Sequence, residues 1–184
     1  EGTIAPASYD FVIGMTKEAL IKKMQERQAS ILNEAWNARQ PNLPINTKQE
    51  ALILASIIEK ETSLKTERGK VSSVFVNRLL REIALQTDAS VVYGITRGKK
   101  VLGRGLRRSE LKKDTPWNTY VNKGLPPSPI GNPGKASIHA ALNPDITNYL
   151  YFVADGSGGH AFAENLREHN INVAKWRKIE KTDN

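Results

Sequence analysis

TKQEALILASIIEKETS, residues 47–63, decides how this chain is read. Thr47 and Glu50 stand in the T-x-x-E spacing of a capping box, in which each side chain takes a backbone N–H of the other's residue. Residues 51–58 are apolar nearly all round, the mark of a helix buried in a protein interior. Two carboxylates close the stretch, Glu59 and Glu61. With Leu54 set at zero and about 100° per residue, Ile57 falls at about 300°, Ile58 at about 40° and Glu61 at about 340°. Glu61 therefore lies within the apolar stripe. Glu59 falls at about 140°, on the polar flank with Lys48 and Ser56. A carboxyl held against apolar side chains has its charged form disfavoured and its pKa raised, which prepares a general acid for work near neutral pH. The same spacing also suits a solvated glutamate in the last turn, and the helix alone leaves both readings open.

A chain of 184 residues can bury a sizeable core as one domain, with or without an appendage. The sequence begins at Glu1 rather than Met and reads as a piece whose anchor or export signal would lie upstream. No stretch approaches the ~18 apolar residues of a membrane span. There is no cysteine, which excludes disulfides and thiolate metal sites and leaves the compartment open. The net charge of +8 favours anionic partners: nucleic acid, anionic membrane or acidic wall polymer.

Outward from the central helix, residues 1–15 read as an extended arm or short strand broken by Pro6 and Gly14. Thr16-x-Glu18 opens a helix to about Asn37, with Trp36 as a core anchor. Pro41 and Pro44 mark a linker. Residues 67–82 form a second strong helix able to pack on the central one. Arg78 within it lies on a solvated face or pairs with a carboxylate of the central helix. Thr87 or Asp88 caps a short helix that Gly94 would end, and capping alone would account for Asp88.

Eight of the 17 residues 97–113 are Lys or Arg. No aromatic is interleaved to stack bases, so this run reads as a mobile surface loop or wall-contacting lip before a nucleic-acid site. Residues 114–134 form a long, proline-stiffened irregular loop, a length that usually signals function. A short helix follows at 136–142. Residues 149–154 and 160–162 form a β-hairpin around a glycine turn. A last helix spans about 164–181, with Leu166, Val173 and Trp176 facing in. His160 and His169 lack zinc-site spacing, and no phosphate loop, dinucleotide fingerprint or nucleophile elbow is present.

Five stretches, ASIIEKET (55–62), VSSVFVNRL (71–79), LQTDASVVYG (85–94), NTYVNKGLPPSPIGNPG (118–134) and YLYFVADGSGGHAFAENLREHN (149–170), together resemble the YceG-like family of membrane-anchored endolytic murein transglycosylases. The resemblance covers essentially the whole chain, without that family's membrane helix and LysM-like domain. It implies an α+β, mainly helical, lysozyme-like catalytic domain with a small β-hairpin. In it, residues 1–45 (arm, helix and linker) lead into a catalytic region at 46–184. The implied reaction cleaves the MurNAc-β-1,4-GlcNAc bond and leaves a 1,6-anhydro end. One glutamate acts as acid and then base, with no metal or cofactor. The family pattern of small and aliphatic residues followed by Glu-Thr picks Glu61, with Glu59 as the alternative. Gln86, Asp88, Asn118, Tyr120, Pro126, Pro127, Asn132, His160 and Phe162 become candidates for lining a saccharide groove. The implied partners are peptidoglycan strands and peptidoglycan synthases, with no nucleic acid. The implied location is the cell envelope, with the whole protein held in the cytoplasmic membrane. Three competitors remain: a basic nucleic-acid-binding module, a non-catalytic wall-binding protein, and an aminodeoxychorismate lyase, a label the family has carried. For the last, no lysine stands in an identifiable pyridoxal-phosphate site.

Overall fold

A computed structural model describes residues 1–182. The helices run α1 (Lys17–Asn37), α2 (Lys48–Glu61), α3 (Arg68–Leu80), α4 (Asp88–Thr96), α5 (Arg108–Leu111), α6 (Lys135–Leu142) and α7 (Leu166–Thr182). The strands β1 (Tyr151–Ala154) and β2 (His160–Ala163) pair antiparallel, with Tyr151 opposite Ala163 and Ala154 opposite His160. The architecture is mainly helical α+β, as the sequence implies.

α2 is the axis of the fold. Its capping box forms in full: Glu50 N donates to the Thr47 hydroxyl at 3.1 Å, and Thr47 N donates back to the Glu50 carboxylate at 3.2 Å. Every residue from Ala51 to Ile58 is buried, because α1, α3, α4 and α6 surround the helix. Leu54, Ile57 and Ile58 meet Phe75 of α3, Leu85, and Ile138 and Leu142 of α6 in one core. α1 joins it through Leu32 and Ala35, so the linker after α1 does not divide the core. Trp36 packs against the core's edge, with Arg39 stacked over its ring at 4.1 Å.

The arm before α1 forms no strand. Gly2 N and Ile4 N donate to Asn132 Oδ1 at 2.7 and 3.3 Å, and Gln28 Nε2 donates to the carbonyls of Gly2 and Pro133. Three expectations are corrected. Gly94 does not end α4, which continues to Thr96 and closes with Arg97 in the left-handed conformation, φ 53°. A side chain at Gly94 would stand 3.3 Å from Thr115 Oγ1 and Trp117 Cβ, so the glycine serves close packing with the loop. Arg78 is neither solvated nor paired with a carboxylate of α2. It is buried and donates to backbone carbonyls, Leu150 O at 2.6 Å, Ala84 O at 2.9 Å and Leu85 O at 3.1 Å. Leu166, Val173 and Trp176 do not join the core: α7 packs on β1 and β2, and these three side chains line clefts instead.

Candidate active site

Glu61 is the last residue of α2, where the buried helix reaches a groove. Two clefts meet at its half-buried carboxyl. The first, about 490 Å³, is walled by Val74, Phe75 and Arg78 of α3, the 85–88 segment, Tyr120, β1 and one face of α7. The second, about 340 Å³, is walled by Thr62, Ser63, Ala154, the 156–159 turn, His160 and Trp176. Glu61 lines both.

The electrostatics of Glu61 follow from that position. Burial pushes its pKa up, and the neighbouring charge of Asp88 adds to the rise. The Thr87 hydroxyl, which donates to Glu61 Oε1, and His160 act the other way without cancelling the shift. The result is a carboxyl that keeps its proton to higher pH than an ordinary glutamate and opens onto a groove, the condition for general acid work.

Glu59 has different employment. Its Oε2 accepts from Gly134 N at 3.1 Å and from the Ser137 hydroxyl at 2.6 Å, at the first turn of α6. A carboxylate there satisfies orphan backbone donors and opposes the positive end of the helix dipole. The C-terminal part of the polar flank of α2 thus faces α6 and the proline loop, while Lys48 at the other end is exposed. Ser56, also on that flank, is fully buried and accepts from Ile130 N at 2.9 Å.

Residues 1–175 match the YceG-like family. This chain belongs to that family. It is 39% identical over 177 residues to a protein of Bacillus subtilis (strain 168) named endolytic murein transglycosylase, covering 96% of this chain and 48% of the relative. It is 34% identical to a protein of the same name from Streptococcus pneumoniae serotype 2, covering 95% of this chain and 32% of that one. A crystal structure of a putative YceG-like protein from Listeria monocytogenes is similar, with a TM-score of 0.77 and 34% identity over 92% of this chain and 54% of its own. The chain thus spans half or less of the length of the curated relatives it matches.

The remaining sequence-derived candidates divide in this YceG-like chain. Gln86, Asp88 and Tyr120 line the first cleft together. Tyr120 donates its phenolic proton to Asp88 Oδ1 at 2.6 Å, and burial together with Asp88 pushes the phenol's pKa up. Gln86 holds a left-handed backbone, φ 53°, and its Oε1 accepts from Arg78 Nη1 at 3.2 Å. His160 lines the second cleft, with its backbone N and Nδ1 both bonded to the Glu67 carboxylate, at 2.9 and 2.8 Å.

Asn118 is placed elsewhere. It is 0% exposed, its Nδ2 reaches the carbonyls of Glu110, Leu111 and Lys113, and its Oδ1 accepts from Tyr120 N. Its amide organises the loop that presents Tyr120. Asn132 holds the arm, and Phe162 packs against the core beside Tyr149 and Phe152. Pro126 is buried and Pro127 exposed, both away from the walls of the two clefts. The basic run contains the short α5, with Arg97 stacked 3.5 Å over Trp117 and Arg104 bidentate to Glu110.

Sequence reading missed Thr87 as Glu61's partner, the stack of Tyr151 with His169 at 5.0 Å, and Glu67 behind His160. For Thr87 a signal existed: a cap residue before α4. Its side chain makes no cap bond, because it is turned to Glu61 instead.

Proposed function

We propose that this chain is the catalytic region of an endolytic peptidoglycan lytic transglycosylase. The observation that carries the reading is the Glu61 carboxyl, raised in pKa and shared by two clefts, so that a glycan lying through the groove would pass it mid-chain. The names of the B. subtilis and S. pneumoniae relatives support it.

In this proposal protonated Glu61 gives its proton to the oxygen of the MurNAc-β-1,4-GlcNAc bond, and the GlcNAc side leaves as an alcohol. Glu61, now a carboxylate, takes the proton of the muramyl C6 hydroxyl as that oxygen attacks C1. The products are a 1,6-anhydroMurNAc end and a new GlcNAc end, and the glutamate regains its proton. No water is consumed and no second carboxylate is needed, unlike the paired acids of hydrolysing glycosidases. Thr87 holds one carboxyl oxygen, which fixes the rotamer and leaves the other oxygen for the glycan. Asp88 favours the acid form and His160 the carboxylate, so the two neighbours bracket the two steps.

The proposal includes a lysozyme-like catalytic region at 46–184, introduced by residues 1–45. It also includes an envelope location with the whole protein held in the cytoplasmic membrane. The test is a pair of substitutions assayed for anhydromuramyl products from purified peptidoglycan. Glu61→Gln is expected to lose about 10³-fold in rate, and Glu59→Gln to keep the chemistry. An active Glu61→Gln protein would overturn the proposal.

A further inference from the structure

Leu166, His169, Val173 and Trp176 recur at intervals of three, four and three residues on α7. That spacing is one helix face, and here it is a groove wall rather than a core face. The first three line the cleft on one side of Glu61, and Trp176 lines the cleft on the other. Ten residues of helix span about 15 Å, a length that suits an extended ligand.

Trp176 differs from the chain's other two tryptophans. Trp36 is covered by the Arg39 guanidinium at 4.1 Å. Trp117 is covered by Arg97 at 3.5 Å, and its indole N–H is committed to Ser128 at 3.1 Å. Trp176 is half-buried and, among the described residues, makes no hydrogen bond and meets no other ring. It lines the second cleft together with His160 and the 156–159 turn, where the Cβ position of Gly158 meets only open space. The turn is held under α7 by close packing: a Cβ at Gly156, φ 89°, would lie 2.9 Å from Ile179 Cδ1. The family match stops at residue 175, one short of this ring.

We propose that Trp176 is a stacking platform for an N-acetylhexosamine ring, forming a saccharide subsite on the His160 side of Glu61. An open indole face in a groove takes the apolar C–H face of a pyranose, and its free N–H remains for a ring hydroxyl or the acetamide carbonyl. The absence of a carboxylate other than Glu61 in the lining of that cleft suits a neutral sugar. The inference rests on the glycan reading of Glu61 and adds where the chain is gripped beyond it.

The experiment is a titration of the ¹⁵N-labelled chain with the N-acetylglucosamine tetramer, following the three indole N–H signals and the backbone amides of β1. The Trp176 indole is expected to move while those of Trp36 and Trp117 stay. Trp176→Ala is expected to raise Kd about tenfold, and Trp176→Phe, which keeps a ring, less than about threefold. Shifts at Tyr151 and Val153 with a silent Trp176, or unchanged affinity in a folded Trp176→Ala protein, would overturn the platform and leave the glycan reading intact. No shift at any residue would remove the glycan reading, and the platform with it.

Discussion

Thr87, at the N-cap of α4, turns its hydroxyl away from its own helix and donates to the carboxyl of Glu61, the last residue of α2. Two helix ends are thereby joined at the one side chain common to both clefts. The bond stabilises the charged form of Glu61 and opposes the effect of burial. Thr87→Val keeps the volume and removes the donor. We expect kcat/KM for peptidoglycan to fall about 10- to 100-fold, and the alkaline limb of the pH–rate profile to move to higher pH, because the larger of the two influences opposing burial is gone and only His160 remains. Thr87→Ser should restore both. A Val variant with an unmoved limb would show that the hydroxyl does not tune Glu61.

The two glutamates at the end of α2 should answer mutation with opposite signs in stability. Folding raises the pKa of Glu61 above its ordinary 4.5. The folded state then binds that proton more tightly than the unfolded chain, and stability is lost as pH climbs from the unfolded towards the folded value. The cost grows as pH climbs above the ordinary value, so Glu61→Gln should raise Tm more at pH 7 than at pH 4, with the gain vanishing below about pH 4.5. Glu59→Ala instead strips the first turn of α6 of its acceptor. A loss of about 1–2 kcal/mol is expected, or about 2–8 °C in Tm. Calorimetry of the two variants at pH 4 and pH 7 separates them.

Both glutamates were visible in the sequence, but only one role was legible there. The capping box and the apolar run of α2 are local patterns, and they form as the spacing requires. What the wheel could not show is what the polar flank faces. Gly134 and Ser137, the partners of Glu59, lie 75 and 78 residues away, so the tertiary hydrogen bonds made by this part of the polar flank leave no local trace in the sequence. Arg78 fails for the same reason: a buried guanidinium held by carbonyls looks in sequence like any helix-surface arginine. Periodicity found that Leu166, Val173 and Trp176 share one face of α7, but not that this face walls a groove instead of joining the core.

Asp88 and His160 act on Glu61 from opposite sides of the groove and with opposite sign. Asp88→Asn keeps an acceptor for Tyr120 and removes the charge that helps hold the proton on Glu61. The pKa of Glu61 should fall, and with it the pH above which the enzyme lacks its acid. His160→Gln removes the group that favours the carboxylate and should move the same limb upward. Profiles recorded across pH 4–8 on one peptidoglycan preparation should therefore bracket the parent. Movement of both variants in the same direction would break the electrostatic account.

Asn118 and Tyr120 sit two residues apart in one loop, and their substitutions should fail differently. Asn118 is sealed inside, and its side chain bonds to four backbone groups. Asn118→Ala leaves three carbonyls and one N–H without their partner and opens a small void. A loss of about 2–4 kcal/mol in urea unfolding is expected, with activity falling only as the loop loosens. Tyr120→Phe keeps the packing and deletes the proton donated to Asp88 at the first cleft. Stability should stay within about 1 kcal/mol of the parent, while turnover falls about tenfold as Asp88 loses its fixed orientation beside Glu61. If Asn118→Ala were stable and selectively weakened in glycan affinity, its amide would be reaching the sugar after all, and the loop would have to rearrange on binding.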